Sequence, residues 1–132
     1  MSEKRVIKFR GFTENKWIYG FFFETEQGCY VGEYNDEVSV FPKSVGQYTG
    51  LKDVNGKEIY EGDIIDLKYP LSTRDEEDFD DYKMIRVAIN FQSGSFWFTG
   101  DGFTDCNWHF YNSEDRKVIG NIFETPELLV GV

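Results

Sequence analysis

Apolar and polar residues alternate along the chain with a period of two, which is typical of β-strands that bury one face. The clearest segment is 84–91, in which every second position is large and apolar: Ile85, Val87, Ile89 and Phe91. Ser93-Gly94 follows and predicts a hairpin turn into a strand at 96–98. The same pattern predicts strands at 6–12, 17–23, 29–34, 38–41, 64–69, 106–111 and 118–123.

Turn residues separate these segments at intervals of roughly eight to twelve positions, as in all-β proteins. Asn55-Gly56 is the strongest turn signal, because both residues tolerate the positive φ of a type I′ turn. No window has a long helical period, and Thr125-Pro126-Glu127 predicts one short C-terminal helical turn at most. The sequence therefore predicts an all-β fold, built as a small barrel or a pair of packed sheets.

Composition narrows the possible functions. The chain has 132 residues, a net charge of −10 and 18% aromatic residues, so it is neither a disordered acidic chain nor a general DNA-binding protein. The charge is uneven, with a net +3 in residues 1–20 and −13 in the remainder. Six acidic residues lie in 75–81, and because like charges repel each other and stay solvated, we expect residues 70–82 to form a long mobile loop.

The sequence also suggests a compartment. The N-terminal residues lack the apolar run of a secretory signal, and the chain has no apolar stretch of the ~20 residues that span a bilayer. The two cysteines, Cys29 and Cys106, are too few for a disulfide framework, so we expect both to be reduced and buried. We expect a cytoplasmic protein without a membrane partner.

One long motif, QYTGLKDVNGKEIYEGDI at 47–64, resembles the signature of the YopX family of phage- and prophage-encoded proteins. Segments 7–11, 16–20 and 118–129 resemble the opening and ending of that family. The resemblance implies one mainly β domain, with N-terminal hairpins at 1–45, the signature as a connection at 46–63 and a small Src-homology-type barrel at 64–132. It implies no enzymatic activity and supplies no catalytic residues.

Two interpretations of the signature remain open. In the favoured one, it connects the hairpins to the barrel, and glycines with positive φ fix the strand register. In the other, it forms an exposed aromatic and charged interaction surface made of Tyr48, Lys52, Lys57, Tyr60 and Glu61.

Basic and aromatic residues are interleaved once, near the N-terminus, at Lys8, Arg10, Lys16 and Trp17. Such a hairpin could bind a nucleic-acid single strand, but two paired strands with a core-facing aromatic side are the favoured interpretation. Mimicry of DNA by the acidic chain is a related hypothesis. Nucleic acid is therefore the alternative partner and not the leading one.

The chain has no coherent catalytic set. Cys106 and His109 are three residues apart, so on a strand their side chains point to opposite faces. The spacing of a zinc site is absent, and in Asp53-x-Asn55 the calcium-loop pattern fails at Lys57 and Glu58. We expect no catalytic residue, metal or cofactor. The leading hypothesis is a non-enzymatic phage or prophage accessory protein that binds an unidentified protein partner or a second copy of itself.

Overall fold

The described part of the chain forms two antiparallel β-sheets. The computed structural model describes residues 6–70, 82–100, 103–106 and 112–129. Eleven strands lie in these ranges: β1 (Phe9–Thr13), β2 (Lys16–Thr25), β3 (Gly28–Glu33), β4 (Asp36–Val40), β5 (Gly46–Lys52), β6 (Glu58–Tyr60), β7 (Asp63–Pro70), β8 (Tyr82–Gln92), β9 (Ser95–Gly100), β10 (Phe103–Asp105) and β11 (Arg116–Asn121). The predicted all-β class is confirmed.

The first sheet has the strand order β4-β3-β2-β1-β5-β6. Its long strand β2 pairs with β1 through its first half and with β3 through its second half. One face covers a small core of buried residues, Cys29, Val31 and Val40, against which Ile18, Phe22 and Val45 pack. The strands β1 to β4 of the predicted N-terminal hairpins thus belong to one continuous sheet.

The second sheet has the strand order β10-β9-β8-β7-β11 and contains the larger core. Alternate residues of β7 and β8 point into this core, which explains the clean period of two in that part of the sequence. The buried members of the cluster are Ile59, Ile65, Leu67, Ile85, Val87, Ile89 and Phe98. Within the described ranges β10 and β11 lie at opposite edges, so the strand pairing there does not close the expected barrel.

The signature segment contains two strands that the sequence interpretation missed. Strand β5 pairs with β1, and β6 pairs with β5 at the edge of the first sheet. Gly50, Gly56 and Gly62 within the segment have positive φ, as expected for glycines that set turns and register. The segment also joins the sheets, because the Gly62 N–H donates to the Ile89 carbonyl at 2.7 Å and Ile59 packs into the second core.

The remaining sequence predictions have mixed outcomes. The short C-terminal helical turn is present as a 3-10 turn at Pro126–Leu129, and two further 3-10 turns at Pro42–Ser44 and Ser113–Asp115 were missed. Of the strand predicted at 106–111, only Cys106 is described, and it follows the end of β10. Residues 71–81 of the predicted acidic loop lie outside the described residues. The loop prediction is wrong at its two ends, because Pro70 belongs to β7 and Tyr82 to β8, and the two residues pair with each other.

Candidate functional site

One face of the first sheet carries an exposed row of aromatic side chains. Tyr19, Phe21 and Phe23 occupy alternate positions of β2 and are 45%, 63% and 41% exposed. Tyr30 of β3 stacks on Phe23, with ring centroids 5.2 Å apart. We call these four residues the aromatic strip. The intervening β2 residues Ile18 and Phe22 pack into the core, so the strip lies on the opposite face of the strand.

The aromatic strip lies in an acidic part of the protein. Residues 18–42 contain no Lys or Arg, and their five acidic residues are exposed: Glu24, Glu26, Glu33, Asp36 and Glu37. Glu37 and Phe21 both pair with Gly32, which has no side chain to separate them across the sheet. Glu24, Glu33 and Asp36 share the face of the core residues Cys29, Val31 and Val40 and lie opposite the strip, so Glu37 is the strand carboxylate on the face of the strip. An apolar strip with a carboxylate beside it complements a surface that has a basic group next to an apolar centre.

A buried arginine lies where the two sheets meet. Arg10 of β1 is 5% exposed and donates from Nη2 to Oδ1 of Asp63, the first residue of β7, at 2.7 Å. Its guanidinium lies between two rings, 4.2 Å from the Trp17 centroid and 5.0 Å from the Tyr60 centroid. Arg10 of β1 thus links the first sheet to β7 of the second sheet through a buried contact.

The carboxylate of Asp63 is held in place by two strands of the first sheet. Its Oδ2 accepts the Tyr60 backbone N–H at 2.7 Å while Oδ1 faces Arg10. Burial raises the pKa of Asp63, and the positive charge of Arg10 acts in the opposite direction. Burial also raises the pKa of the neighbouring Glu61. Two carboxyl groups with raised pKa values thus lie close to one buried cation.

A second ion pair borders this centre. Lys8 Nζ is 2.7 Å from Glu58 Oε2 and lies over the Tyr48 ring. The Tyr60 hydroxyl donates to Glu58 Oε1 at 2.9 Å. Burial alone would raise the pKa of Glu58, but the hydrogen bonds from Lys8 and Tyr60 lower it. Burial, followed by the contact with Glu58, raises the pKa of the Tyr60 hydroxyl.

These contacts account for most of the residues proposed for nucleic-acid binding. Lys8 pairs with the partly exposed Glu58, and Arg10 pairs with the buried Asp63. Trp17 donates from Nε1 to Glu124 Oε1 at 2.8 Å. Lys16 alone of the four is exposed. The structure brings Arg10 and Trp17 into contact, but as parts of the junction between the sheets.

The five residues proposed as an interaction surface do not form one patch. Tyr48 and Tyr60 are 7% and 2% exposed and belong to the interior, where their rings are 5.4 Å apart. Lys52 and Lys57 are exposed, and Glu61 is half-buried. Three exposed aromatics lie instead at alternate positions of β2, within the apolar run 17–23, where alternation indicates two faces but not which one is covered.

A cavity of about 90 Å³ opens beside Arg10 at the junction of the sheets. Its polar lining includes Arg10, Lys43, Glu61 and Asn90, and Trp17 forms part of the wall. The Arg10 Nε is buried and, among the described residues, has no hydrogen-bond acceptor. Local sequence patterns gave no sign of this cavity, because it combines residues from both sheets.

The described residues test only part of the predictions about metal binding and the cysteines. Within the described ranges, no three His, Cys, Asp or Glu side chains are grouped to hold a metal ion. Cys29 is buried, as expected, but Cys106 is exposed, so the prediction of burial is wrong there. His109 lies outside the described residues. No helix in the described part of the chain has the length and apolar character needed to cross a membrane.

Comparison with known proteins identifies a protein family. The search among curated proteins finds no match. A solved structure, protein EF1440 from Enterococcus faecalis, is similar at 24% identity with a TM-score of 0.47, covering 96% of this chain and 99% of that one. The family model described as YopX protein matches residues 8–130, nearly the whole chain. The chain therefore belongs to the YopX family.

Proposed function

We propose that this chain is a non-enzymatic accessory protein of phages and prophages, and that it binds a basic protein partner through the aromatic strip. The observation that carries the proposal is the exposure of Tyr19, Phe21 and Phe23 at alternate positions of one strand. Exposed aromatic side chains at the centre of a patch are typical of residues that dominate protein–protein affinity.

Charge supports a different protein as the partner, and not a second copy of this chain. A second copy would bring another net charge of −10 and a second Glu37 against the same sheet face. Opposite charges across an interface steer association, whereas like charges oppose it. The partner's surface should therefore carry Lys and Arg around an apolar centre.

A comparison of two double variants tests this proposal. Phe21→Ser with Phe23→Ser alters the aromatic strip, while Phe91→Ser with Met84→Ser alters equally exposed apolar residues of β8 on the other sheet. Thermal unfolding first shows that both variants fold like the wild type. The three tagged proteins are then used to capture proteins from host cells and from phage-infected cells. We expect a basic protein to be retained by the wild type and by the β8 variant, lost with the strip variant, and released by added salt.

Three results would contradict the proposal. One is retention of the same protein by the strip variant. Another is a captured partner whose contact surface is acidic. The third is a salt-resistant dimer of the chain itself in sedimentation experiments that the strip substitutions dissociate, because the strip would then be the contact between two copies.

A further inference from the structure

The signature segment contains the single Asn-Gly pair of the sequence, at Asn55-Gly56. Asn55 lies in an exposed turn, and its side-chain carboxamide forms no hydrogen bond within the described part of the chain. By contrast, the Asn121 carboxamide is fixed by hydrogen bonds from the backbone N–H groups of Phe123 and Glu124. Gly56 has a φ of +79° and open space where a Cβ would lie. The Asn55 carboxamide is therefore free to move beside a backbone nitrogen that no side chain shields.

This arrangement favours a spontaneous reaction of the asparagine side chain. Asparagine is a thermally labile residue, and a following glycine leaves room for attack by its own backbone nitrogen. The Gly56 nitrogen forms a bond to Cγ of Asn55, and its proton passes through water to the side-chain nitrogen, which leaves as ammonia. Water then opens the cyclic imide. Opening at the side-chain carbonyl gives aspartate, and opening at the main-chain carbonyl gives isoaspartate.

One hydrogen bond of the turn opposes the reaction. The Gly56 N–H donates to the Asp53 carbonyl at 3.0 Å, so this hydrogen bond has to open before the nitrogen can attack. Residues 54–57 are all exposed, and exposed turns open locally at a small cost in free energy. We therefore expect the fold to slow the reaction relative to an unstructured peptide without preventing it.

The same turn connects the signature segment to β11. The buried Asp53 carboxylate accepts the backbone N–H groups of Asn55 and Lys57 through Oδ1, at 2.8 and 2.9 Å, and that of Val118 in β11 through Oδ2, at 2.9 Å. Isoaspartate adds one carbon to the backbone between residues 55 and 56, which changes the spacing that lets both N–H groups of the turn reach Oδ1. We propose that Asn55 is a site of spontaneous deamidation, and that its isoaspartate form weakens the contact of the signature segment with β11.

Ageing of the intact protein in mildly alkaline buffer, followed by peptide mapping with mass spectrometry, tests the proposal. Asn35, in the exposed turn between β3 and β4, is the internal comparison because Asp36 follows it. We expect residue 55 to be converted at least about tenfold faster than residue 35, since only residue 55 precedes a residue without a side chain. A synthetic peptide of residues 51–59 should react several-fold faster than the protein, because it lacks the folded turn.

Variants separate the chemical part of the proposal from the structural part. Asn55→Gln should abolish conversion at residue 55, whereas Asn35→Gln should leave it at the wild-type rate. We expect the isoaspartate form, purified from aged protein, to unfold at a lower urea concentration than Asn55→Asp, which carries the same charge. An intact Asn55 in protein aged until the peptide has reacted would overturn the proposal, as would equal conversion of Asn35. Equal urea midpoints for the isoaspartate form and Asn55→Asp would overturn the weakened contact with β11.

Discussion

At the scale of single residues, we expect the buried pair of Arg10 and Asp63 to be sensitive to substitution. Both side chains are almost fully buried, and each belongs to a different sheet. Removing one partner of such a pair leaves an uncompensated buried charge, which is far more destabilising than the loss of an exposed pair. The two β7 aspartates allow a direct comparison, because Asp66 forms a half-exposed pair with Arg86.

We expect Asp63→Ala to lower the free energy of unfolding by about 3–5 kcal/mol, because Arg10 loses its counter-charge and the Tyr60 N–H loses its acceptor. Asp66→Ala should lower it by less than about 1 kcal/mol. Urea denaturation of both variants measures the difference. Equal effects would mean that the buried pair has no special role in stability.

A second residue-scale prediction concerns acid. Burial acts to raise the pKa of Asp53, but hydrogen bonds from the backbone of Val118, Lys57 and Asn55 lower it overall. A carboxyl group with a lower pKa in the folded state stabilises the protein above its unfolded pKa, and this contribution is lost as pH falls through the folded value. Asp63 and Glu61, whose pKa values are raised, act in the opposite direction.

We therefore expect Asp53→Asn to destabilise the protein at neutral pH and to approach the stability of the wild type as the pH falls. Urea midpoints of the two proteins between about pH 6 and pH 3 measure this convergence. Asp36→Asn, at an exposed position of β4, is the control and should follow the wild type throughout. A constant difference between the wild type and Asp53→Asn would contradict the assignment.

At the scale of strands, close packing of β2 on β3 depends on a glycine. Gly20 has a φ of +147°, and a Cβ there would lie 2.5 Å from the Gly32 carbonyl oxygen. Gly28 has a similar φ of +145° but open space around the same position. The two sites therefore share the backbone strain that a side chain would introduce, and differ only in the steric clash.

We expect Gly28→Ala to lower the free energy of unfolding by about 1–3 kcal/mol through backbone strain, because φ near +145° is a region that is essentially restricted to glycine. Gly20→Ala should lower it by a further ~1–3 kcal/mol, because the β3 backbone has to move. Thermal unfolding of both variants, compared with the wild type, checks the order. If the Gly20→Ala protein were as stable as the Gly28→Ala protein, the β3 backbone would be able to move away from the new methyl group without a loss of stability.

Local pattern was sufficient for some strands and insufficient for others. β7, β8 and β9 follow from alternation because each buries one face in the same core. β5 and β6 were missed because their buried positions depend on contact with β1 and with the second sheet, which period-two counting does not detect. Arg10 looked like a ligand contact for a similar reason: its partner Asp63 is 53 residues away.

At the scale of the whole molecule, net charge and the exposed aromatic strip have opposite effects on association. The isoelectric point calculated from the sequence is about 4.5, so near that pH the protein loses the net charge that keeps its copies apart. We expect the wild type to self-associate near pH 4.5 and to disperse again at neutral pH. Light scattering should show less association for the Phe21→Ser, Phe23→Ser variant than for the Phe91→Ser, Met84→Ser variant.

The pairing of Arg10 with Asp63 also constrains how such a chain can change during evolution. A recombination event between residues 10 and 63 would take the cation from one parent and its counter-ion from the other. If one parent lacked its member of the pair, the recombinant would inherit a lone buried charge. Viable exchanges between divergent relatives should therefore fall outside this interval, or between parents that share both residues. The two sheets are in this respect inherited as one unit.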